Sequence, residues 1–238
     1  MNHVNKTKGF TLIELMLAMA FVAFLLVAIA MTVIQIGNIY NRGLALKNIN
    51  QAGRSIVDEL KRGIGQSSKF SIVSTDSDNQ FINIGPNKGG RLCLGSVSYI
   101  WNYGEAINDG LAIRNTYVNN NGDIRFVKVL DPTAEYCKNP SKKIDPTSKP
   151  VELLNPGQYN LVIHKFSIFG STAGAVPVSD NLTKQQLYNI QFIIGTNNQA
   201  ALITDRSSCK PPSEAGSDLN YCAVNEFKIT ARAGNKSE

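Results

Sequence analysis

Histidine is nearly missing from this chain of 238 residues, which holds only His3 and His164. With four cysteines besides, the chain lacks the residues for a histidine-based triad or a zinc-activated water. It also has no P-loop and no Gly-rich nucleotide fingerprint. Asp76–Asn79 offers oxygens to Ca²⁺ but lacks the remaining ligands of a calcium loop. We therefore expect no enzyme, no cofactor and no metal site, and we expect His164 to be a satisfied structural residue.

Charge is sparse as well, since only 18% of the residues are Asp, Glu, Lys or Arg. The formal net charge is +6, but Lys6 and Lys8 belong to a short N-terminal segment; without them, 22 of the 24 basic residues face 18 acidic ones. A nucleic-acid binder usually shows a dense basic stripe. The composition therefore argues against nucleic-acid binding as the main role and leaves only a weak, salt-dependent contact with nucleic acid or a surface.

Charge is entirely absent from Leu15 to Asn41, and Leu15–Ile34 is almost unbroken apolar sequence. As a helix, this stretch spans roughly 30 Å, the thickness of a bilayer core. Lys6 and Lys8 precede it, so the positive-inside rule predicts a cytoplasmic N-terminus, with the chain beyond the span outside. A cleaved secretory signal would have a shorter apolar run that ends at a small-residue site. We therefore expect a retained transmembrane helix.

A carboxylate stands at the edge of this span. An acid within a membrane helix is costly, so Glu14 is a candidate functional residue. The alternative is an interfacial glutamate that only marks where the membrane begins.

Residues 8–15, with the sequence KGFTLIEL, resemble the signal of type IV pilins and of the pseudopilins of type II secretion. The resemblance implies cleavage after Gly9 by a membrane prepilin peptidase, which removes residues 1–9, and N-methylation of the new N-terminal residue, Phe10. It implies that Thr11 and Glu14 serve assembly, with the Glu14 carboxylate neutralising the amine of a neighbouring subunit. The implied partners are other pilin subunits, the peptidase/methyltransferase, the inner-membrane assembly platform and, before assembly, membrane lipid.

The central part of this helix departs from the family. Many major pilins carry a proline and a preceding glycine there, whereas the matching positions hold Met31 and Ala23. Gly37 and Gly43 are the nearest weak points. Any melting of the helix is therefore expected later along the chain, or not at all.

The fold class expected is α+β: one long helix packed on an antiparallel sheet, as in pilins. Residues 10–36 form the apolar half of the helix, 37–66 its amphipathic half with a stop signal at Gly63 and Gly65, 67–233 a β-rich head, and 234–238 a flexible tail. Loop excursions are predicted at 131–157, which contains five of the nine prolines, and at 206–221. The predicted strands are Phe70–Ser74, Phe81–Ile84, Arg91–Tyr103, Leu111–Tyr117, Ile124–Leu130, Gln158–Phe169, Leu187–Gly195, Ala200–Thr204 and Val224–Arg232.

The four cysteines are Cys93, Cys137, Cys209 and Cys222, and outside the cytoplasm they would form two disulfides. Three pairings are possible. Local closure of a Pro/Ser/Gly-rich loop favours Cys209 with Cys222, which leaves Cys93 with Cys137. Four free thiols would be expected only in a cytosolic chain.

Parts of the head look similar to PilW-type minor pilins: Arg91–Gly95, Tyr99–Trp101, the Ile124-Arg125 strand and the run from Tyr221 into the last strand. The head is also long for a major pilin. The resemblance thus implies a minor pilin at the bacterial cell surface. A type II secretion pseudopilin, a tip adhesin or DNA-uptake subunit, a major pilin and a membrane-anchored enzyme are the alternatives.

Overall fold

The protein, represented by a computed structural model, has one long helix and two antiparallel sheets. Its chain forms two compact units, Met1–Asn41 and Arg42–Glu238. The predicted strand Leu111–Tyr117, the tail beyond Gly234, the leader before Gly9 and the Asp76–Asn79 run lie outside the described residues. The described residues are 9–73, 80–85, 89–101, 126–138, 144, 146–154, 160–170, 178–183, 185–218 and 220–234.

Helix α1 covers Leu12–Gly65, a single run of 54 residues. It begins two residues after the predicted start at Phe10, because Thr11 serves as its N-cap. It continues without a break through Gly37 and Gly43 and ends at the predicted stop signal. In the unit from Arg42 onward one face of α1 is buried, which confirms the amphipathic pattern: Ala45, Ile49, Ala52, Gly53, Ile56, Glu59, Leu60, Gly63 and Ile64.

The first sheet has five antiparallel strands in chain order, β1 to β5. The predicted strand Arg91–Tyr103 was wrong as one strand, because Gly95 adopts a positive φ of 76° and the chain reverses there. The Leu94 N–H donates to the Val97 carbonyl oxygen across this turn at 2.9 Å. The strands are β1 (Phe81–Gly85), β2 (Gly89–Cys93), β3 (Val97–Trp101), β4 (Phe126–Leu130) and β5 (Val151–Glu152).

The second sheet is centred on β8, which pairs with β6 and β9 along most of its length and with β7 at its start. The alternation predicted for the last strand is confirmed: Ile229 and Ala231 are buried, whereas Lys228 and Thr230 are exposed. The strands are β6 (Leu161–Phe169), β7 (Val178–Ser179), β8 (Gln186–Thr196) and β9 (Val224–Ala233).

Two other predicted strands were wrong. In the described part of Phe70–Ser74 only Ser71 forms a bridge, because the backbone of Phe70 bonds to a side chain instead. Its N–H donates to the Tyr188 hydroxyl at 3.0 Å, and that hydroxyl donates to the Phe70 carbonyl at 2.6 Å. Ala200–Thr204 is replaced by a 3₁₀ turn, Gln199–Ala201, and a single bridge between Leu202 and Cys209, since the chain turns at residue 204.

The predicted excursion 131–157 returns to the first sheet and covers its outer face. It forms a short helix, α2 (Glu135–Lys138), a 3₁₀ turn (Pro146–Ser148) and then strand β5. The Asp131 carboxylate starts this segment by accepting the N–H groups of Glu135 at 2.8 Å and Tyr136 at 3.2 Å. Sequence patterns did not predict this cover, because few apolar residues build it. Ala134, Tyr136, Cys137 and Ile144 pack against Cys93, Ile100, Val127 and Val129 of the sheet.

A row of aromatic rings runs through the core and joins the two sheets. Phe166 of β6 stacks on Trp101 of β3 with ring centres 4.4 Å apart, and on Phe192 of β8 at 5.9 Å. Phe227 of β9 continues the row at 5.2 Å from Phe192. Trp101 and Tyr99 are thus core residues. Each such pair adds stabilisation beyond the burial of its area.

Glycines let α1 approach both sheets. A Cβ on Gly53 would lie 2.0 Å from the Phe227 ring, and one on Gly63 would lie 2.2 Å from the Tyr99 hydroxyl. Gly63 is therefore a close-packing residue inside the helix as well as part of its stop signal. An amide hydrogen bond of 2.6 Å from Asn225 of β9 to Asn50 fixes the same contact.

Candidate processing and assembly site

The Gly9–Phe10 bond lies just outside α1, which begins at Leu12. Gly9 and Phe10 are exposed, Phe10 to 85%. A peptidase needs an accessible bond in non-helical backbone, and the start of the helix leaves this bond accessible. The predicted cleavage site is therefore sterically open in the described part of the chain.

Thr11 and Glu14 form a reciprocal capping box at the first turn of α1. The Thr11 N–H donates to Glu14 Oε2 at 2.9 Å, and the Thr11 hydroxyl donates to the same oxygen at 2.8 Å. The Glu14 N–H in turn donates to Thr11 Oγ1 at 3.3 Å. These bonds satisfy donors that the first turn would otherwise leave without partners.

Sequence reasoning assigned Glu14 to charge pairing and missed this capping role. The signal was present, because Thr-x-x-Glu directly before an apolar run is the sequence pattern of a capping box. The box fixes the carboxylate beside the backbone of Thr11, next to the position where cleavage would create an amine on Phe10. Glu14 therefore caps the first turn of α1, besides the charge-pairing role that the resemblance implies.

The apolar half of α1 has no cover. An 18-residue window of this helix reaches a mean hydropathy of 2.8 with none of it buried, so α1 is long and apolar enough to cross a membrane. Phe24 is exposed to 76% and Leu17 to 73%. The hydroxyl of Thr32 donates back to the Ala28 carbonyl at 2.9 Å, which satisfies that polar group within the helix. An exposed apolar surface of this extent is typical of a segment that contacts a membrane or another protein.

Two disulfides frame the head, and they are the pairings that local closure favoured. Cys93 bonds to Cys137, with Cα atoms 6.1 Å apart, and ties α2 to strand β2. Cys209 bonds to Cys222, with Cα atoms 6.0 Å apart, and closes the loop before β9. Both Cα separations are normal for disulfides.

Glu59 is a buried carboxylate that ties α1 to the first sheet, and no local pattern predicted its partners. Lys128 of β4 approaches it at 2.5 Å and Arg62 at 2.7 Å, and the Tyr99 hydroxyl donates to it at 3.1 Å. Burial opposes its ionisation, but the hydrogen bonds and positive charge around it outweigh that effect, so the pKa of Glu59 lies below its usual value. This cluster is structural, since it lies inside the helix–sheet contact.

His164 is fully buried at a bulge of β6, and its ring fills the space in which a Cβ on Gly195 would lie. One ring nitrogen, Nε2, lies 3.2 Å from the Thr196 carbonyl oxygen, whereas Nδ1 has no hydrogen-bond partner in the described structure. The expectation of a satisfied histidine was therefore half right. Burial lowers the pKa of His164 to about 4, so the ring is neutral near pH 7.

Among the described residues no group of three or more His, Cys, Asp or Glu side chains is placed to hold a metal ion. The predicted calcium candidate, Asp76–Asn79, lies outside those residues.

Comparison with protein-family models, with curated proteins and with solved structures gives no match for this chain.

Proposed function

We propose that this chain is a structural subunit of a type IV pilin-like filament. In this proposal it enters the cytoplasmic membrane as a precursor, is cut after Gly9, and is assembled through α1. The observation that carries the proposal is the juxtaposition at the N-terminus: an open Gly9–Phe10 bond and a capped Glu14, followed at once by an uncovered apolar helix.

The accessible Gly9–Phe10 bond supports a processed helix over an ordinary membrane anchor, because an anchor has no need of an accessible glycine before its first turn. Here the exposed Phe10 leads directly into the helix. Removal of residues 1–9 would take away Lys6 and Lys8, the charges that hold the N-terminus in the cytoplasm.

Glu14 would then set the register between subunits. The new amine on Phe10 and the Glu14 carboxylate are opposite charges in an apolar filament core, where an unpaired charge is penalised heavily. A neighbouring subunit that offers its amine to this carboxylate removes the penalty at one axial position only. Repetition of the same head-to-tail contact generates an open helical filament.

The head is proposed to lie outside the cytoplasm, first at the membrane surface and then along or at the end of the filament. Its two disulfides support an oxidising location. The unbroken helix through Met31 and the long head favour a minor pilin over a major one. We propose no enzymatic activity.

The decisive test is mass spectrometry of the mature chain co-produced with a prepilin peptidase. We expect a product that begins at N-methylated Phe10, and loss of that product in Gly9→Val. Gly37→Val is the matched control, because a Cβ at either glycine meets nothing within 4 Å and neither change disturbs packing. An N-terminus anywhere other than Phe10, or equal processing of both variants, would contradict the proposal.

Immunogold labelling of sheared filaments separates the roles within the class. Labels along the whole filament would exclude a tip adhesin or tip DNA-uptake subunit, and labels only at the filament ends would support one. If deletion of the gene abolished the secretion of enzymes, the chain would be identified as a pseudopilin instead.

A further inference from the structure

A groove of about 350 Å³ lies on the outer face of the second sheet. Its floor is the backbone of β8 and β9, and side chains of three strands line it. The strand register places Phe169 beside Asn189, and Asn189 beside Thr230, in one row across the sheet. Gln191 and Lys228 form the next row. Side chains that neighbour each other across strands on one face lie within contact distance.

Hydrogen bonds fix the polar side chains of this groove. The Thr230 hydroxyl donates to Asn189 Oδ1 at 2.7 Å, and Asn189 Nδ2 donates to the Gly170 carbonyl at 3.3 Å. Gln191 Nε2 donates to Glu226. A ligand would therefore meet preset amide and hydroxyl groups and lose little affinity to ordering them.

The groove carries almost no net charge. Lys228, its one cation in the described lining, forms an ion pair with Glu226 at 3.1 Å. An anionic ligand would compete with that carboxylate, and a cationic ligand would meet the lysine. The lining therefore favours a neutral ligand rich in hydroxyl groups.

Phe169 supplies the apolar part of the groove. Its ring is half-buried at the end of β6, on the same face as the amides. The wet face of an antiparallel sheet commonly carries polar side chains. A concave surface that combines oriented amides, a hydroxyl and an aromatic ring is instead typical of small-molecule sites.

We propose that this groove binds a neutral carbohydrate, with the apolar face of a sugar ring against Phe169 and its hydroxyls bonded to Asn189, Gln191 and Thr230. The volume suits one or two sugar units. The inference is independent of filament assembly, because no residue of the N-terminal segment contributes to the groove.

The test uses the full chain in lipid nanodiscs, without sugar-based detergent, on an array of neutral and anionic oligosaccharides. We expect retention of at least one neutral glycan and weakening by about three- to tenfold in Thr230→Val, which removes one hydrogen-bonding group. Phe169→Ala should weaken the same glycan at least as much. Lys165→Ala, on the same strand and outside the groove lining, is the control and should bind as the parent chain does.

Three outcomes would overturn the proposal. The first is no neutral glycan retained above empty nanodiscs. The second is unchanged affinity in Thr230→Val, an exposed position at which folding is not at risk. The third is retention of anionic glycans only, with loss in Lys228→Met, which would make the groove a cationic site.

Discussion

Glu14 caps α1, and in the proposed function it also neutralises the amine of a neighbouring subunit; substitution by alanine would remove both effects at once. Glutamine at position 14 keeps an oxygen for the Thr11 N–H and hydroxyl but removes the charge. If charge neutralisation sets subunit register, both Glu14→Gln and Glu14→Ala should be inserted and cleaved normally and should be missing from sheared filaments. The measurement is the ratio of processed chain in filaments to processed chain in the membrane.

The capping role has a separate signature. Thr11→Ala removes the hydroxyl of the box while the carboxylate and its charge remain. We expect Thr11→Ala to weaken the first turn by about 1 kcal/mol, as for other lost caps, and to remain in filaments at a reduced level. Filaments that contain normal amounts of Glu14→Gln would show that capping alone is needed, and the register hypothesis would fall.

A side chain at position 53 should disturb the packing of the head. Its Cβ position lies 2.0 Å from the Phe227 ring, which is itself stacked in the aromatic row. Gly53→Ala should destabilise the head by about 1–3 kcal/mol, since the ring or the helix must move. Chemical denaturation of the full chain, followed by near-ultraviolet circular dichroism, measures this.

The control for this change is Gly43→Ala, in the same helix and the same unit. A Cβ at Gly43 meets nothing within 4 Å, so alanine should stabilise the helix by about 0.5–1 kcal/mol. Equal effects at the two positions would mean that helix propensity, rather than the Phe227 contact, controls the outcome.

His164 predicts a dependence of stability on pH. Its pKa of about 4 in the folded chain lies below the ordinary value of 6.5, so between these values the unfolded chain binds a proton that the folded chain does not. The contribution of the neutral ring to the free energy of unfolding is complete above pH 6.5 and is lost as the pH falls through the folded pKa. At pH 4 the free energy of unfolding should be lower by about 3 kcal/mol.

The groups with electrostatic effect on this ring include Arg206, which also disfavours its charge, and the Thr196 carbonyl. The free energy of unfolding, measured from pH 7 to pH 4 for the parent chain and for His164→Asn, should show a smaller decline in the variant. Parallel curves for the two proteins would mean that His164 does not titrate in this window.

At the scale of elements, hydrophobic periodicity predicted helices and strands correctly where the local sequence determines which residues are buried. The amphipathic half of α1 and the alternating strand β9 follow from residues whose neighbours along the chain decide their burial. Arg91–Tyr103 failed because a single positive-φ glycine divides it, and Phe70–Ser74 failed because a tyrosine 118 residues away in sequence takes its backbone bonds. The partners of Glu59 were equally remote in sequence. Long-range contacts of this kind leave no local pattern.

The two disulfides should differ in what they contribute to stability. Cys93–Cys137 closes 44 residues and Cys209–Cys222 closes 13. By chain entropy, their removal should cost about 4 and about 3 kcal/mol respectively. The first also holds the sparse apolar cover on the outer face of the first sheet, so its loss should expose that face.

The comparison is made with Cys93→Ala/Cys137→Ala and Cys209→Ala/Cys222→Ala. Denaturant midpoints should fall further for the first double variant, and amide exchange should rise in β3 and β4 for that variant alone. Exchange limited to the loop at 209–222 in both variants would contradict the assigned role of the cover.

At the scale of the whole molecule, the chain combines an apolar helical half whose side chains are exposed with a head whose apolar side chains are buried in a core of its own. The unit from Arg42 has a continuous core of helix and two sheets, whereas residues 12–41 expose nearly all of their side chains. In the proposed function, a bilayer surrounds this helix first and neighbouring helices surround it later, because both environments are apolar. The head would then lie outside the cytoplasm.

In the proposed function, the orientation of the chain in the membrane decides whether the disulfides can form. Lys6 and Lys8 are the only Lys or Arg residues before the span, and the next charge after it is Arg42. Reversing the first two in Lys6→Glu/Lys8→Glu should leave much of the head in the reducing cytoplasm. Alkylation in intact cells with a thiol reagent that adds a large mass should then label up to four cysteines per chain, against none in the parent.

Lys210→Glu/Lys228→Glu, with the same change in net charge in the head, should remain unlabelled, because charges distant from the span have little effect on orientation. Equal labelling of the two double variants would rule out the leader charges as the cause.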